Sequence, residues 1–264
     1  MLEIRELSKT FAPDKVNKEI ALDNLSLTLE EGEFITVIGS NGAGKSTLLN
    51  CISGVHLPDA GRIILDGMDI TFWPEYKRSR YIGRVFQDPL LGTAFDMTIE
   101  ENLAMAYAKG KTRGLLPGVR RNETRLFRDK LAELGLGLED RIRQKVGFLS
   151  GGERQALTLL MATIVRPRLL LLDEHTAALD PATAQRVLKL TRDIVLEHQL
   201  TTIMVTHNMR EALEYGTRTV MMHNGRLILD IAGPERENMT VEKLVSLFSQ
   251  RSGSGIENDR MLLG

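Results

Sequence analysis

The chain has 264 residues, of which 42% are apolar and 26% charged, and its formal net charge is −1. Such a balance supports a substantial globular core, argues against disorder, and offers no global attraction to nucleic acid or anionic lipid. The single cysteine, Cys51, excludes an intrachain disulfide, and no run of about 18 apolar residues marks a membrane span.

The N-terminal stretch Met1–Glu6 is charged and alternating. It lacks the apolar segment and cleavage site of a signal peptide, so a cytosolic chain is expected. Leu2–Arg5 and Ala21–Leu29 read as strands, with a turn at Glu30-Glu31-Gly32-Glu33. Phe34–Ile38 is a short apolar run, the mark of a strand buried on both faces. A helix is expected over Lys45–Ser53, ending at Gly54; Cys51 falls within it and should be a small buried residue. Arg62–Leu65 and Ile82–Phe86 are further strands, the first followed by the turn Asp66-Gly67.

The middle third is helical. Thr98 and Glu101 form a capping box that opens a helix over Ile99–Ala108, and Asn122–Leu134 is another helical stretch. Between Lys109 and Lys130 there are eight basic residues and two acidic ones. That segment suits a solvated face or a contact with a partner or with lipid head groups. Beyond Ser150 the chain alternates: helix Gly152–Val165, strand Leu169–Leu172, a helix capped by Asp180 and begun by Pro181, strand Thr201–Val205, and helix Asn208–Tyr215. Alternation of this kind implies a parallel sheet covered by helices on both faces. A hairpin around Gly225 and a helix over Thr240–Ser249 complete the pattern, and residues 250–264, with Ser-Gly-Ser-Gly, read as a flexible tail.

Two motifs carry chemistry. Gly39-Ser40-Asn41-Gly42-Ala43-Gly44-Lys45-Ser46, followed by Thr47, fits the phosphate-binding loop G-x-x-x-x-G-K-[ST], between a strand and a helix. Glycines let the backbone N–H groups turn toward phosphate oxygens, and the helix adds the positive end of its dipole. Lys45 is expected to reach the β- and γ-phosphates, and the Ser46 hydroxyl to ligate Mg²⁺. The second motif is Leu169-Leu170-Leu171-Leu172-Asp173-Glu174, a buried strand ending in two acids where open α/β sheets place ligands. Asp173 is expected in the Mg²⁺ shell, and Glu174 as general base toward the attacking water.

Between these motifs lies Leu149-Ser150-Gly151-Gly152-Glu153. Ser150 and the two glycines open a helix and so make a second anion site. With the P-loop upstream and Asp173 lying 23 residues beyond Ser150, the chain resembles the ABC ATPase family over roughly residues 1–245. The resemblance implies an α/β P-loop NTPase fold: a RecA-like, mostly parallel sheet core, an antiparallel β subdomain and an inserted α-helical subdomain at about 88–165, all within residues 1–249. It implies a head-to-tail dimer in which Ser150, Gly151 and Gly152 of one copy close over ATP held by the other. By the same resemblance Gln87 senses nucleotide and joins the metal shell, Asp180 crosses the dimer interface, His207 contacts the γ-phosphate, and Phe11 stacks on adenine.

The sequence departs from the family pattern at four places. Glu153 replaces the commoner glutamine, Ala156 an arginine and His175 a proline, and residues 12–19 look like a short insertion after Phe11. Asp-Glu-His-Thr-Ala-Ala-Leu-Asp-Pro resembles a bacterial subgroup that works with a substrate-binding protein and a permease of the branched-chain-amino-acid type. The resemblance therefore implies an ATPase subunit on the cytoplasmic face of the inner membrane, held there by permease subunits, powering import of a small, amino-acid-like solute, with no nucleic-acid partner. A soluble ABC ATPase driving assembly, such as those of iron–sulfur cluster machinery, shares the single-domain pattern and differs only in its partner.

Overall fold

The computed structural model describes residues 1–12, 19–109 and 121–252. Most of the expected insertion after Phe11, the middle of the basic segment and nearly all of the C-terminal tail lie outside them. The chain forms two compact units, one of residues 1–78 with the chain from Gln199 onward, the other of residues 79–198.

The first unit opens with β1 (Leu2–Phe11) and β2 (Glu19–Leu29), paired antiparallel with Leu2 opposite Leu29 and Phe11 opposite Glu19. Leu2 and Ile4 are buried on one face, as the alternation requires. Leu7 joins them out of phase because β1 is irregular between Ile4 and Leu7, where Glu6 is left-handed (φ 49°), and Leu25, Leu27 and Leu29 meet the three from β2. β3 (Phe34–Gly39) is buried at all six positions. Next come α1 (Lys45–Ser53), β4 (Ala60–Leu65), β5 (Met68–Asp69) and a single turn of helix, α2 (Glu75–Arg78). The strands β2, β1, β4 and β5 make one antiparallel sheet in that order. Arg78 is fully buried, and its guanidinium donates to the carbonyls of Cys51 (2.6 Å), Ile52 (2.9 Å), Thr71 (2.7 Å) and Trp73 (2.9 Å). It thereby satisfies carbonyls that the end of α1 leaves without helical partners.

The second unit contains β6 (Ile82–Val85), α3 (Ile99–Tyr107), α4 (Arg121–Ala132), α5 (Gly151–Thr163), β7 (Leu169–Asp173) and α6 (Pro181–Glu197). Thr98 caps α3 as its capping box demands: Thr98 Oγ1 accepts from the Glu101 N–H (3.2 Å), and Glu101 accepts from the Thr98 N–H (2.7 Å). Ile99, Leu103, Phe127, Leu131 and Leu157, from α3, α4 and α5, form one buried cluster. β6 and β7 pair in parallel, Val85 beside Leu172.

The chain then returns to the first unit with β8 (Thr202–Val205), α7 (Met209–Tyr215), β9 (Arg218–His223), β10 (Arg226–Ala232), α8 (Gly233–Glu237) and α9 (Val241–Ser252). β8 and β9 flank β3, both parallel to it, and β10 pairs antiparallel with β9. Asn224 (φ 47°) and Gly225 (φ 76°) make the tight β9–β10 turn. The fold is thus the expected α/β type, with a mostly parallel core, an antiparallel sheet and a group of helices. β5, α2 and α8 are additions to the expected elements, each too short for periodicity to register.

Candidate functional site

In the first unit the chain leaves β3 at its carboxyl end and turns through Ser40–Gly44 into α1. The Ala43 N–H donates to the Ser40 carbonyl at 3.1 Å, and the Gly225 N–H donates to the Ala43 carbonyl at 3.1 Å, so the β9–β10 turn braces the loop. Gly44 caps α1 in the left-handed conformation (φ 98°), and a β-carbon there would lie 2.2 Å from the Ala21 carbonyl oxygen. Only glycine meets both conditions. Gly44 carries no side chain to cap the nine-residue α1, and the N-terminus of such a helix is where an anion binds. Lys45 is buried, and its ammonium donates to the carbonyls of Gly39 (2.7 Å) and Ser40 (3.1 Å). Asn41, Gly42 and Ser46 are exposed, and Thr47 is half-buried. Phe11 ends β1, its ring edge-on to His56 at 5.2 Å.

His207 lies just beyond β8 in the same unit. The Thr206 N–H donates to the Val37 carbonyl at 3.2 Å, which sets the end of β8 beside the end of β3. Thr206 Oγ1 donates to Glu211 (2.7 Å) and accepts from the Asn208 N–H (3.1 Å), while Asn208 caps α7 through the Arg210 and Glu211 N–H groups. His207 therefore sits between two residues fixed by hydrogen bonds, at the P-loop end of the sheet.

The second unit holds the carboxylate half. Leu169–Leu172 are fully buried, and Asp173 remains 8% exposed at the end of β7. The Arg84 guanidinium, on neighbouring β6, lies 3.1 Å from Asp173 Oδ2 and stacks over Phe86 at 4.6 Å. Sequence reasoning passed over Arg84; the available signal was a lone cation inside an apolar strand. Glu174 follows with a left-handed backbone (φ 42°), uncommon for a residue with a side chain. Gln87 is exposed at the same end of the β6–β7 pair.

His175 is buried, and desolvation pushes its imidazole down to about 4, so it is neutral at physiological pH. Its Nε2 lies 3.0 Å from Thr191 Oγ1 on α6. The Thr191 hydroxyl donates to the Val187 carbonyl at 2.8 Å.

Ser150 caps α5 in a second capping box: its Oγ accepts from the Glu153 N–H (3.2 Å), and Glu153 accepts from the Ser150 N–H (2.9 Å). Partial burial opposes ionisation of Glu153, but the Ser150 N–H and the Arg141 guanidinium together hold its carboxyl below the usual carboxylate range. Serine followed three residues later by glutamate is the same pattern as Thr98 and Glu101, and it identifies this cap from sequence. A β-carbon on Gly152 would meet Thr183 Cγ2 at 2.2 Å, so α5 and α6 approach at their N-termini. Asp180 accepts from the Thr183 N–H at 3.1 Å, and its hydrogen bonds to Thr183 lower its carboxyl.

Among the described residues no group of three or more His, Cys, Asp or Glu side chains is arranged to hold a metal. The residues expected to ligate one, Ser46, Gln87 and Asp173, instead offer a hydroxyl, an amide and a single carboxylate. That all-oxygen set fits Mg²⁺, which takes one or two carboxylates and completes its shell with water and phosphate oxygens. The first unit therefore gathers Phe11, the P-loop and His207. The second gathers Gln87, Ser150–Gly152, Asp173, Glu174 and Asp180.

Comparison with known proteins agrees with this chemistry. A family model described as ABC transporter matches residues 22–177. A tyrosine transport ATP-binding protein of Clostridioides difficile is 48% identical over 94% of this chain and 98% of its own length. A methionine import ATP-binding protein of Rhizobium johnstonii is 37% identical over 79% of the chain, which spans 56% of that longer protein. Among solved structures, a dimeric ATP-binding cassette in a post-hydrolysis state bound to ADP and phosphate superimposes with a TM-score of 0.75 at 27% identity, covering 88% of this chain and 98% of that one. An ABC transporter cassette in its ADP conformation gives 0.76 at 27% identity, covering 94% and 98%. The chain belongs to the ABC transporter family, as an ATP-binding subunit that hydrolyses ATP for transport.

Proposed function

We propose that the chain powers uptake of an amino acid through a separate permease on the cytoplasmic face of the membrane. The observation that carries the ATPase chemistry is the P-loop itself: Lys45 lies against the loop carbonyls, and the left-handed Gly44 leaves the N-terminus of α1 without a side-chain cap. No helix among the described residues is long and apolar enough to cross a membrane. The relatives that transport tyrosine and import methionine favour an amino acid as solute. They lend no support to the branched-chain type of permease expected from the sequence, and that expectation is withdrawn.

In this reading backbone N–H groups of the P-loop and Lys45 hold the phosphates. Ser46, Gln87 and Asp173 are the residues that would hold Mg²⁺, which when bound offsets phosphate charge. Glu174 accepts a proton from the attacking water, and His207 donates to the γ-phosphate. Ser150–Gly152 supply the second anion site from a second copy, with Asp180 at that interface and Phe11 against adenine. The dimeric state of solved cassettes supports this pairing. Catalysis then rests on positioning and charge stabilisation rather than on covalent chemistry. The test is reconstitution with the permease recovered from membranes. ATP should drive uptake of labelled tyrosine or methionine into vesicles, and Lys45→Ala should abolish it. Recovery of soluble scaffold proteins in place of a permease would favour the assembly ATPase.

A further inference from the structure

His175 stands beside the residue read as the general base, yet its side chain is buried and the chemistry above makes no use of it. The hydrogen bonds define its state. The Thr191 hydroxyl spends its only proton on the Val187 carbonyl, at 2.8 Å. Its oxygen, 3.0 Å from His175 Nε2, is therefore the acceptor, and Nε2 carries the proton. A neutral ring protonated at Nε2 leaves Nδ1 without one.

That bond ties the residue after Glu174 to the middle of α6. It does so where the backbone needs holding: Glu174 is left-handed at φ 42°, a conformation that persists only when its surroundings impose it. Downstream, the Ala177 N–H donates to the Glu174 carbonyl at 3.0 Å. Upstream, β7 is fixed by its pairing with β6. Glu174 is thus pinned on one side by the sheet and on the other by a turn and the buried imidazole. These backbone angles set the direction in which the Glu174 side chain leaves the chain, and small errors in placing a catalytic group are costly in rate.

We propose that His175 is a positioning residue for Glu174, acting through its hydrogen bond to Thr191. The inference rests on Glu174 being the base. The experiment measures ATP turnover, KM for ATP and melting temperature for Thr191→Val, Thr191→Ser, His175→Leu, the double variant His175→Leu/Thr191→Val, and Glu174→Gln. Thr191→Val keeps the side-chain shape and removes the acceptor. It should lower kcat about 10-fold or more with KM within about twofold. Thr191→Ser, which keeps the hydroxyl, should restore kcat. The double variant should be no slower than the slower single one, since both break one interaction. Wild-type kcat in Thr191→Val, failure of rescue by serine, or losses that follow only the folded fraction would overturn the proposal. Glu174→Gln separates the two readings. If it is inactive while Thr191→Val is normal, only the positioning role fails; if it turns over normally, the base assignment fails first.

Discussion

Arg84 Nη2 lies 3.1 Å from Asp173 Oδ2, joining two adjacent parallel strands through side chains that are 11% and 12% exposed. The carboxylate at the end of β7 therefore has a protein cation beside it. Removing one member of a nearly buried pair leaves the other charge desolvated, which costs far more than an exposed pair contributes. Because Asp173 keeps other contacts and both side chains retain some exposure, Arg84→Met should lower unfolding stability by about 1–3 kcal/mol, less than breaking a fully buried pair costs. Denaturant unfolding measures it, and an unchanged midpoint would show that the pair contributes nothing.

Gly44 faces two constraints at once, a left-handed backbone and the Ala21 carbonyl 2.2 Å from any β-carbon. Gly44→Ala should cost roughly 2–3 kcal/mol and disrupt the loop. Equilibrium dialysis with ATP should show affinity lost in the chains that remain folded. Gly42 has no atom near its β-carbon position. Gly42→Ala should therefore be the milder change, limited to its φ of 77°.

The cap on α5 separates stability from turnover. Ser150→Ala deletes the side-chain acceptor for the Glu153 N–H and should cost about 1 kcal/mol. Glu153→Gln keeps a side-chain oxygen for the Ser150 N–H but gives up the charge that faces Arg141. Its loss should be smaller, below about 1 kcal/mol, with turnover retained. Thermal melts and phosphate release on both variants check the order.

Cys51 is fully buried, and desolvation pushes its thiol up to about 11. At pH 8 it is then a protonated thiol in the core, and the thiolate is the reactive form. A thiol reagent should label the folded chain negligibly and one site per chain in guanidinium. Rapid labelling of the native protein would contradict the burial.

What was legible in the sequence was local. The P-loop, the Asp173-Glu174 strand end and the Thr98 cap are each written in consecutive or near residues, and the elements carrying them fell within a few positions of expectation. Gly54 ends α1 in the left-handed conformation, as a helix-terminating glycine does. What escaped was long-range. Arg84 and Asp173 are 89 residues apart, and His175 and Thr191 are 16 apart. No periodicity links either pair, because strand pairing and helix packing, not local propensity, bring them together. His175 was noticeable as a departure from the family pattern, but as a titratable neighbour of the site; burial makes it neutral instead.

The most direct measurement is phosphate release from MgATP as a function of chain concentration, with Lys45→Ala alongside. Hydrolysis by paired copies predicts a specific rate that rises with concentration and disappears in Lys45→Ala. A rate independent of concentration, or one that survives loss of Lys45, would contradict it.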